Sequence, residues 1–248
     1  MINSTDTKIN ADIILKEPFG GIRFGTDALL LADFANSVVK RGKCIDLGTG
    51  SGVIPLLMLA SGSRADFVGL EFQPEYASVA NENAKANGFS DRFSVICGDA
   101  ANHKSIFESG RADYCITNPP YMRSDCGKSN DSLPLAIARR EIKGGVELFC
   151  KTAAWCLKSG GDFFAVYRPD RLVTLLYAMR SNGIEPKRLR AVVPSLGKKP
   201  SLILVEGKKD GREGLTYEPD LYIYTDSTHT TQTNEMNEIY SRFDGKKD

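Results

Sequence analysis

The chain has 248 residues, 42% of them hydrophobic and 25% charged, with a formal net charge of +1. That composition is globular, and so small a net charge creates no global field to draw the chain to nucleic acid or to an anionic membrane. The six cysteines include no CxxC pair, and the two histidines, His103 and His229, stand alone, which argues against a metal site. Three of the cysteines lie within apolar strand-like runs, a usage that suits a reducing compartment. Met1 to Asn10 is polar and lacks the basic-then-apolar order of a secretory signal. No apolar run approaches the ~20 residues that span a bilayer. The expectation is a cytoplasmic protein that holds no metal and enters no membrane.

Along the chain, a glycine-broken loop, Gly20 to Asp27, runs into a short helix with apolar residues at Leu30, Leu31 and Phe34. From Lys43 the pattern alternates. Cys44 to Leu47 reads as a strand and Val53 to Ala60 as a helix opened by glycines. Phe67 to Leu70 is a second strand. Pro74 to Asn87 has proline in its first turn and Gly88 just past its end, the usual helix asymmetry. Phe93 to Cys97 and Tyr114 to Thr117 are further strands. A helix over Gly145 to Leu157 is stopped by Ser159-Gly160-Gly161, and a strand over Phe163 to Tyr167 and a helix over Leu172 to Met179 follow. Late strands at Leu189 to Val193 and Leu202 to Val205 flank Pro194 to Pro200, and Asn237 to Phe243 suits a docking helix. Strands alternating with helices imply an α/β, doubly wound, mostly parallel sheet covered on both faces.

Two segments carry chemistry. Asp46-Leu47-Gly48-Thr49-Gly50-Ser51-Gly52 follows the first strand and opens a helix, where glycines allow close backbone approach to a ligand. Its G-x-G-x-G spacing differs from a dinucleotide fingerprint, and no P-loop is present. Asp46 sets a carboxylate at the loop mouth, which repels phosphate and favours a ligand with ammonium or hydroxyl groups. Glu71 and Asp99 end the next two strands, where acids either cap turns or accept from a ribose and a base amine. Asn118-Pro119-Pro120-Tyr121 ends the fourth. Two prolines stiffen this turn and remove donors, leaving carbonyls, a carboxamide and an aromatic ring. Most Asn-Pro pairs are plain turns; beside three strand-end acids, this one forms one side of a crevice.

This set resembles the class I S-adenosylmethionine-dependent methyltransferases of the amino-methylating group with an Asn-Pro-Pro-Tyr motif. With Gly25-Thr26-Asp27-Ala28-Leu29-Leu30-Leu31 it looks like the bacterial tRNA1(Val) adenine-N6-methyltransferase group. The resemblance covers about Gly20 to Val205. It implies a Rossmann-like, seven-stranded single domain at residues 43–225. Residues 1–42 would be a lead-in that closes over S-adenosylmethionine, and residues 226–248 a tail. By that resemblance Asp46, Gly48, Gly50 and Gly52 line the methionine part of the cofactor, Glu71 its ribose, and Asp99 with Ala100 its adenine. Gly25 and Thr26 close the site, and Asn118 lies against the cofactor as well as the substrate.

The implied reaction methylates an adenine amine in tRNA. Asn118 and Pro119 would accept its two hydrogens, Pro120 would hold the turn, and Tyr121 would stack on the base. Between Arg180 and Arg212 nine basic residues face three acids, a local excess of +6, and Lys198 and Lys199 centre it. Arg123, Arg139 and Arg140 follow the catalytic turn, so these five are the expected RNA contacts. The alternatives are a release-factor glutamine N5-methyltransferase, an rRNA or DNA amino-methyltransferase, and a cofactor-binding RNA assembly factor without catalysis. About forty residues precede the first strand, too few for the separate helical domain of the release-factor enzymes. The sequence leaves monomer and weak dimer both open.

Overall fold

A computed structural model of the chain describes residues 4–8, 13–18, 25–119 and 145–243. The loop expected over residues 20–24 lies outside them. An antiparallel pair comes first, β1 (Ser4–Lys8) with β2 (Ile14–Pro18), where no strand was expected. Helix α1 (Thr26–Asn36) then leads into β3 (Arg41–Leu47), α2 (Val53–Ala60), β4 (Arg64–Glu71), α3 (Pro74–Ala86) and β5 (Phe93–Cys97). A 3-10 turn over Ala100–Asn102 and a single helical turn, α4 (His103–Ile106), precede β6 (Ala112–Thr117). Beyond residue 144 come α5 (Gly145–Cys156), β7 (Leu157–Tyr167), α6 (Leu172–Ser181), β8 (Ile184–Val193) and β9 (Leu202–Lys209). Two short strands, β10 (Thr216–Tyr217) and β11 (Leu221–Tyr222), and helix α7 (Asn234–Phe243) complete the described chain.

The main sheet runs β10-β8-β9-β7-β6-β3-β4-β5, with β11 also beside β8. Its described pairings are parallel except those of β9, which is antiparallel to β7 and β8. Seven long strands thus make the doubly wound sheet expected from the sequence, and two-residue strands extend its β8 edge. Alternate residues of β7 feed two apolar layers: Phe164 and Val166 meet α1 and α2, whereas Phe163 and Ala165 meet α5 and α6. Strand order reverses between β3 and β6, so a crevice opens at their carboxyl ends.

One expected break is absent. Ser159-Gly160-Gly161 does not separate helix from strand; β7 starts at Leu157 and runs through it. The register slips there, Leu157 facing Ala112 but Asp162 facing Tyr114. The glycines make this bulge feasible: Gly160 has φ +79°, and a Cβ on Gly161 would stand 2.9 Å from the Asp113 carbonyl.

Helix α3 holds its neighbours through asparagines. Asn83 accepts from Lys16 N and donates to Lys16 O, both at 2.9 Å. Asn87 repeats this with Ile14 at 3.1 and 3.0 Å. Four residues advance a helix about 6 Å and two advance a strand about 6.6 Å, so the two carboxamides copy the edge of a partner strand. Asn81 does the same to Val95 on the edge strand β5, at 3.0 and 3.3 Å. Helix α7 buries Met236, Ile239 and Phe243 in the layer of α1 and α2. Its Arg242 forks onto Asp33 of α1 at 2.7 and 3.1 Å.

Candidate active site

The parallel register sets the strand ends in a row. Leu47 lies beside Leu70 and Thr117, and Glu71 beside Cys97. The chain therefore leaves β3, β4, β5 and β6 at one edge, where it carries Gly48, Phe72, Gly98 and Asn118.

The loop after β3 is folded onto the end of β4. Gly48 N and Thr49 N donate to Leu70 O at 2.8 and 3.2 Å, and Gly50 N donates to Glu71 Oε2 at 2.9 Å. Glu71 Oε1 accepts from Gln73 N at 2.8 Å. Each Glu71 oxygen keeps lone pairs for further donors. Burial pushes the Glu71 carboxyl up, opposed by the Gln73 and Gly50 amides. Gly48, Gly50 and Gly52 hold φ of +73°, +57° and +84°, and a Cβ on Gly50 would meet open space. At Gly52 it would stand 2.7 Å from the Phe93 ring. Asn83 Nδ2 also donates to Ser51 O at 2.9 Å, tying this loop to α3 and, through Lys16, to β2.

Asp46 is 1% exposed and accepts from Thr49 Oγ1 through Oδ2 at 2.6 Å; its Oδ1 is buried with no hydrogen-bond partner among the described residues. Burial pushes this carboxyl up to about 7, with the Thr49 hydroxyl opposing and the Glu71 charge assisting. A buried acceptor without a donor beside an open glycine loop suits a ligand bearing an ammonium group.

Asp99 sits at the same edge as the N-cap of the 3-10 turn, accepting from Ala101 N at 2.9 Å. Ala100 O accepts from Thr152 Oγ1 at 3.1 Å and lies 2.8 Å from His103 Nδ1, which fixes the turn to α5 and α4. Asp99 therefore has the turn-capping role that strand-end acids often take.

At the end of β6, Asn118 is half-buried and Pro119 buried. Asn118 Nδ2 donates to Asp27 Oδ2 at 3.0 Å, which brings Gly25 and Thr26 at the start of α1 to the same crevice. Pro120, Tyr121, Arg123, Arg139 and Arg140 lie outside the described residues. Asp46, the glycine loop, Glu71, Asp99 and Asn118 are thus assembled at one sheet edge.

Much of the basic window between Arg180 and Arg212 is paired. Arg180, Arg188, Arg190, Lys208 and Lys209 are ion-paired, several of them to Asp162, Glu213, Glu218 and Glu235, which lie outside that window. A window count ignores acids delivered from other strands. Lys198 and Lys199 remain exposed, in the β8–β9 connection at the carboxyl edge.

Sequence reasoning missed Asp27, Thr49, Asn83 and Phe149, whose ring stands 3.4 Å from where a Gly48 Cβ would be. Two asparagines within one helix, Asn81 and Asn83, were a usable signal, since asparagine is a poor helix interior residue. Among the described residues no group of three or more His, Cys, Asp or Glu could hold a metal ion. No described helix is long and apolar enough to cross a membrane.

Comparison with known proteins agrees with this geometry. A protein-family profile described as a methyltransferase domain matches residues 39–154. The tRNA1(Val) (adenine(37)-N6)-methyltransferase of Porphyromonas gingivalis is 30% identical over 192 residues, covering 75% of this chain and 74% of that protein. The release factor glutamine methyltransferase of Agrobacterium fabrum is 35% identical over 100 residues, but these are 39% of this chain and 32% of that one. The crystal structure of a predicted O-methyltransferase from Agrobacterium tumefaciens superposes with a TM-score of 0.71 at 21% identity, covering 89% of this chain and 98% of that one.

Proposed function

Because this chain belongs to the tRNA1(Val) (adenine(37)-N6)-methyltransferase family, we propose that it methylates the exocyclic N6 amine of the adenine 3′ of the anticodon in tRNA1(Val). It is an S-adenosylmethionine-dependent N-methyltransferase, and its cofactor supplies a methyl group made electrophilic by a sulfonium sulfur. The residues present fit that group: Asp46 Oδ1, buried and without a partner among the described residues, suits its ammonium, and the open face of Gly50 leaves room for its chain. Gly48 and Gly52 shape the same loop, Glu71 would take the ribose hydroxyls, and Asp99 with Ala100 would border the adenine. Gly25 and Thr26 would close the site as part of the lead-in of residues 1–42, and residues 226–248 would act as a docking tail.

An adenine N6 amine is a weak nucleophile because its lone pair is delocalised into the ring. The protein must therefore align it and bias its electrons. Asn118 Oδ1 and the Pro119 carbonyl would accept the two N–H bonds and turn the lone pair toward the methyl group. Pro120 would stiffen the turn and Tyr121 stack on the base. Alignment of this kind is worth about 7–11 kcal/mol, and oriented acceptors stabilise the positive charge that builds on nitrogen. The target base must leave its stack to enter. Arg123, Arg139, Arg140, Lys198 and Lys199 would hold the RNA backbone, and an enzyme that acts on tRNA would work in the cytoplasm.

One observation carries this reading: Asn118 and the Gly48 loop leave neighbouring strands, β6 and β3, at the same edge. Incubation with labelled S-adenosylmethionine and total tRNA should place label on an adenine of one tRNA, mapped by mass spectrometry. Asn118→Ala should abolish transfer and spare cofactor affinity. Label in a protein release factor instead, or full activity of Asn118→Ala, would refute it.

A further inference from the structure

Asn118 is useful as an acceptor only if its oxygen, not its nitrogen, faces the amine. A carboxamide is nearly symmetric in shape, so its orientation is fixed by the hydrogen bonds it makes. One of those bonds comes from outside the turn, at the first turn of α1. Asp27 Oδ2 lies 3.0 Å from Asn118 Nδ2, while Asp27 Oδ1 accepts from Ala28 N at 3.0 Å. A carboxylate offers only acceptors, so the amide must present its NH2 group to it, and Oδ1 is turned away from α1.

Asp27 is itself held in place. The Ala28 amide fixes one oxygen, and Gly25 clears the space beside it: a Cβ there would stand 2.7 Å from Asp27 Oδ1. The contact joins residues 91 apart in sequence. From these observations we infer that Asp27 is a positioning residue that sets the orientation of the Asn118 carboxamide. A side chain of α1 thereby determines the electronic polarity of a turn on β6. The inference rests on the reading of Asn118 as the acceptor of a substrate amine.

Asp27→Asn tests it with little disturbance to the helix. The new carboxamide can still accept from Ala28 N through its oxygen, and its NH2 then faces Asn118. Asn118 must answer with its own oxygen, which withdraws that acceptor from the substrate. Single-turnover methyl transfer at saturating cofactor and tRNA should fall at least about ten-fold, with both dissociation constants within about two-fold of wild type, the signature of an interaction used only during transfer. The swap goes further. Asn118→Asp alone opposes two carboxylates, and adding Asp27→Asn restores a donor to an acceptor, so the pair should exceed Asn118→Asp by about ten-fold or more. A wild-type rate for Asp27→Asn, or a pair no faster than Asn118→Asp alone, overturns the inference. A third readout needs no substrate. In the side-chain amide NMR spectrum, with Asn118 assigned by its loss in Asn118→Ala, one Nδ2 proton should exchange slowly in the wild type and fast in Asp27→Ala. Equal exchange overturns the inference too. If slow exchange depends on Asp27 but no tRNA accepts label, the positioning contact stands and the tRNA reading falls.

Discussion

Replacing Asn83 with alanine separates the role of α3 as a clamp from its role as a core helix. Asn83 is 0% exposed, and its carboxamide makes three hydrogen bonds, two to Lys16 and one to Ser51. At about 1 kcal/mol net for each bond the loss is about 3 kcal/mol, and more if the orphaned backbone groups stay dry. That excess has a ceiling, because β2 can lift away and let water reach them. Lifting exposes Leu15, now fully buried, at about 2 kcal/mol. For a domain of this size, about 3–5 kcal/mol lowers the melting temperature by roughly 6–20 °C. Asn87→Ala should cost only about 1 kcal/mol, because its contacts to Ile14 lie at the surface, where water replaces them. Circular dichroism melts of both variants, with amide exchange of residues 14–18, provide the assay. The argument fails if Asn83→Ala melts within about 1 °C of wild type, or if Asn87→Ala costs more.

Two other outcomes follow from the site. The Asp46 carboxyl is pushed up to about 7 from an ordinary 3.8, so between those values the folded state binds more protons than the unfolded one, and stability falls as pH rises. The cost is fully present above about 7, and its ceiling is about 4 kcal/mol. Asp46→Asn should therefore melt higher than wild type at pH 8 without cofactor, converge with it near pH 4, and lose cofactor affinity; a variant less stable at pH 8 would show that the buried charge has a donor after all. At the sheet edge, Lys198→Glu with Lys199→Glu should weaken tRNA binding and flatten its dependence on salt, by about two in the log–log slope for two lost phosphate contacts. An unchanged slope would place the RNA elsewhere.

The legible parts of this molecule are those in which a local constraint leaves a mark on neighbouring residues. Gly48, Gly50 and Gly52 mark a loop with positive φ at each glycine, and the Pro74 to Gly88 pattern marks one helix. Alternating apolar runs mark the seven long strands. Where the reading failed locally, a second strand supplied the missing information. Ser159-Gly160-Gly161 looks like a boundary, and only the Asp113 carbonyl packed against Gly161 shows it to be a bulge. The basic window counts as an excess of +6, and only Asp162, Glu213, Glu218 and Glu235 reveal how much of it is paired.

The contacts that finish the site belong to a different kind. Asn118 to Asp27 spans 91 residues, Asn83 to Lys16 spans 67, and Asn83 to Ser51 spans 32. Each joins a carboxamide to a group whose identity is unremarkable in its own segment. Asparagine in a helix costs helix stability, so Asn81 and Asn83 together signal that something outside the helix repays them, without saying what. Here the answer is backbone: Val95 at the sheet edge, Lys16 and Ile14 of the opening strand pair, and Ser51 of the glycine loop. One buried carboxamide thus couples that loop to the N-terminal strand, and another carboxamide, on Asn118, is oriented from α1. Both anchors lie in the segment before β3, so loosening that segment should degrade cofactor binding through Asn83 and methyl transfer through Asp27 by separate routes.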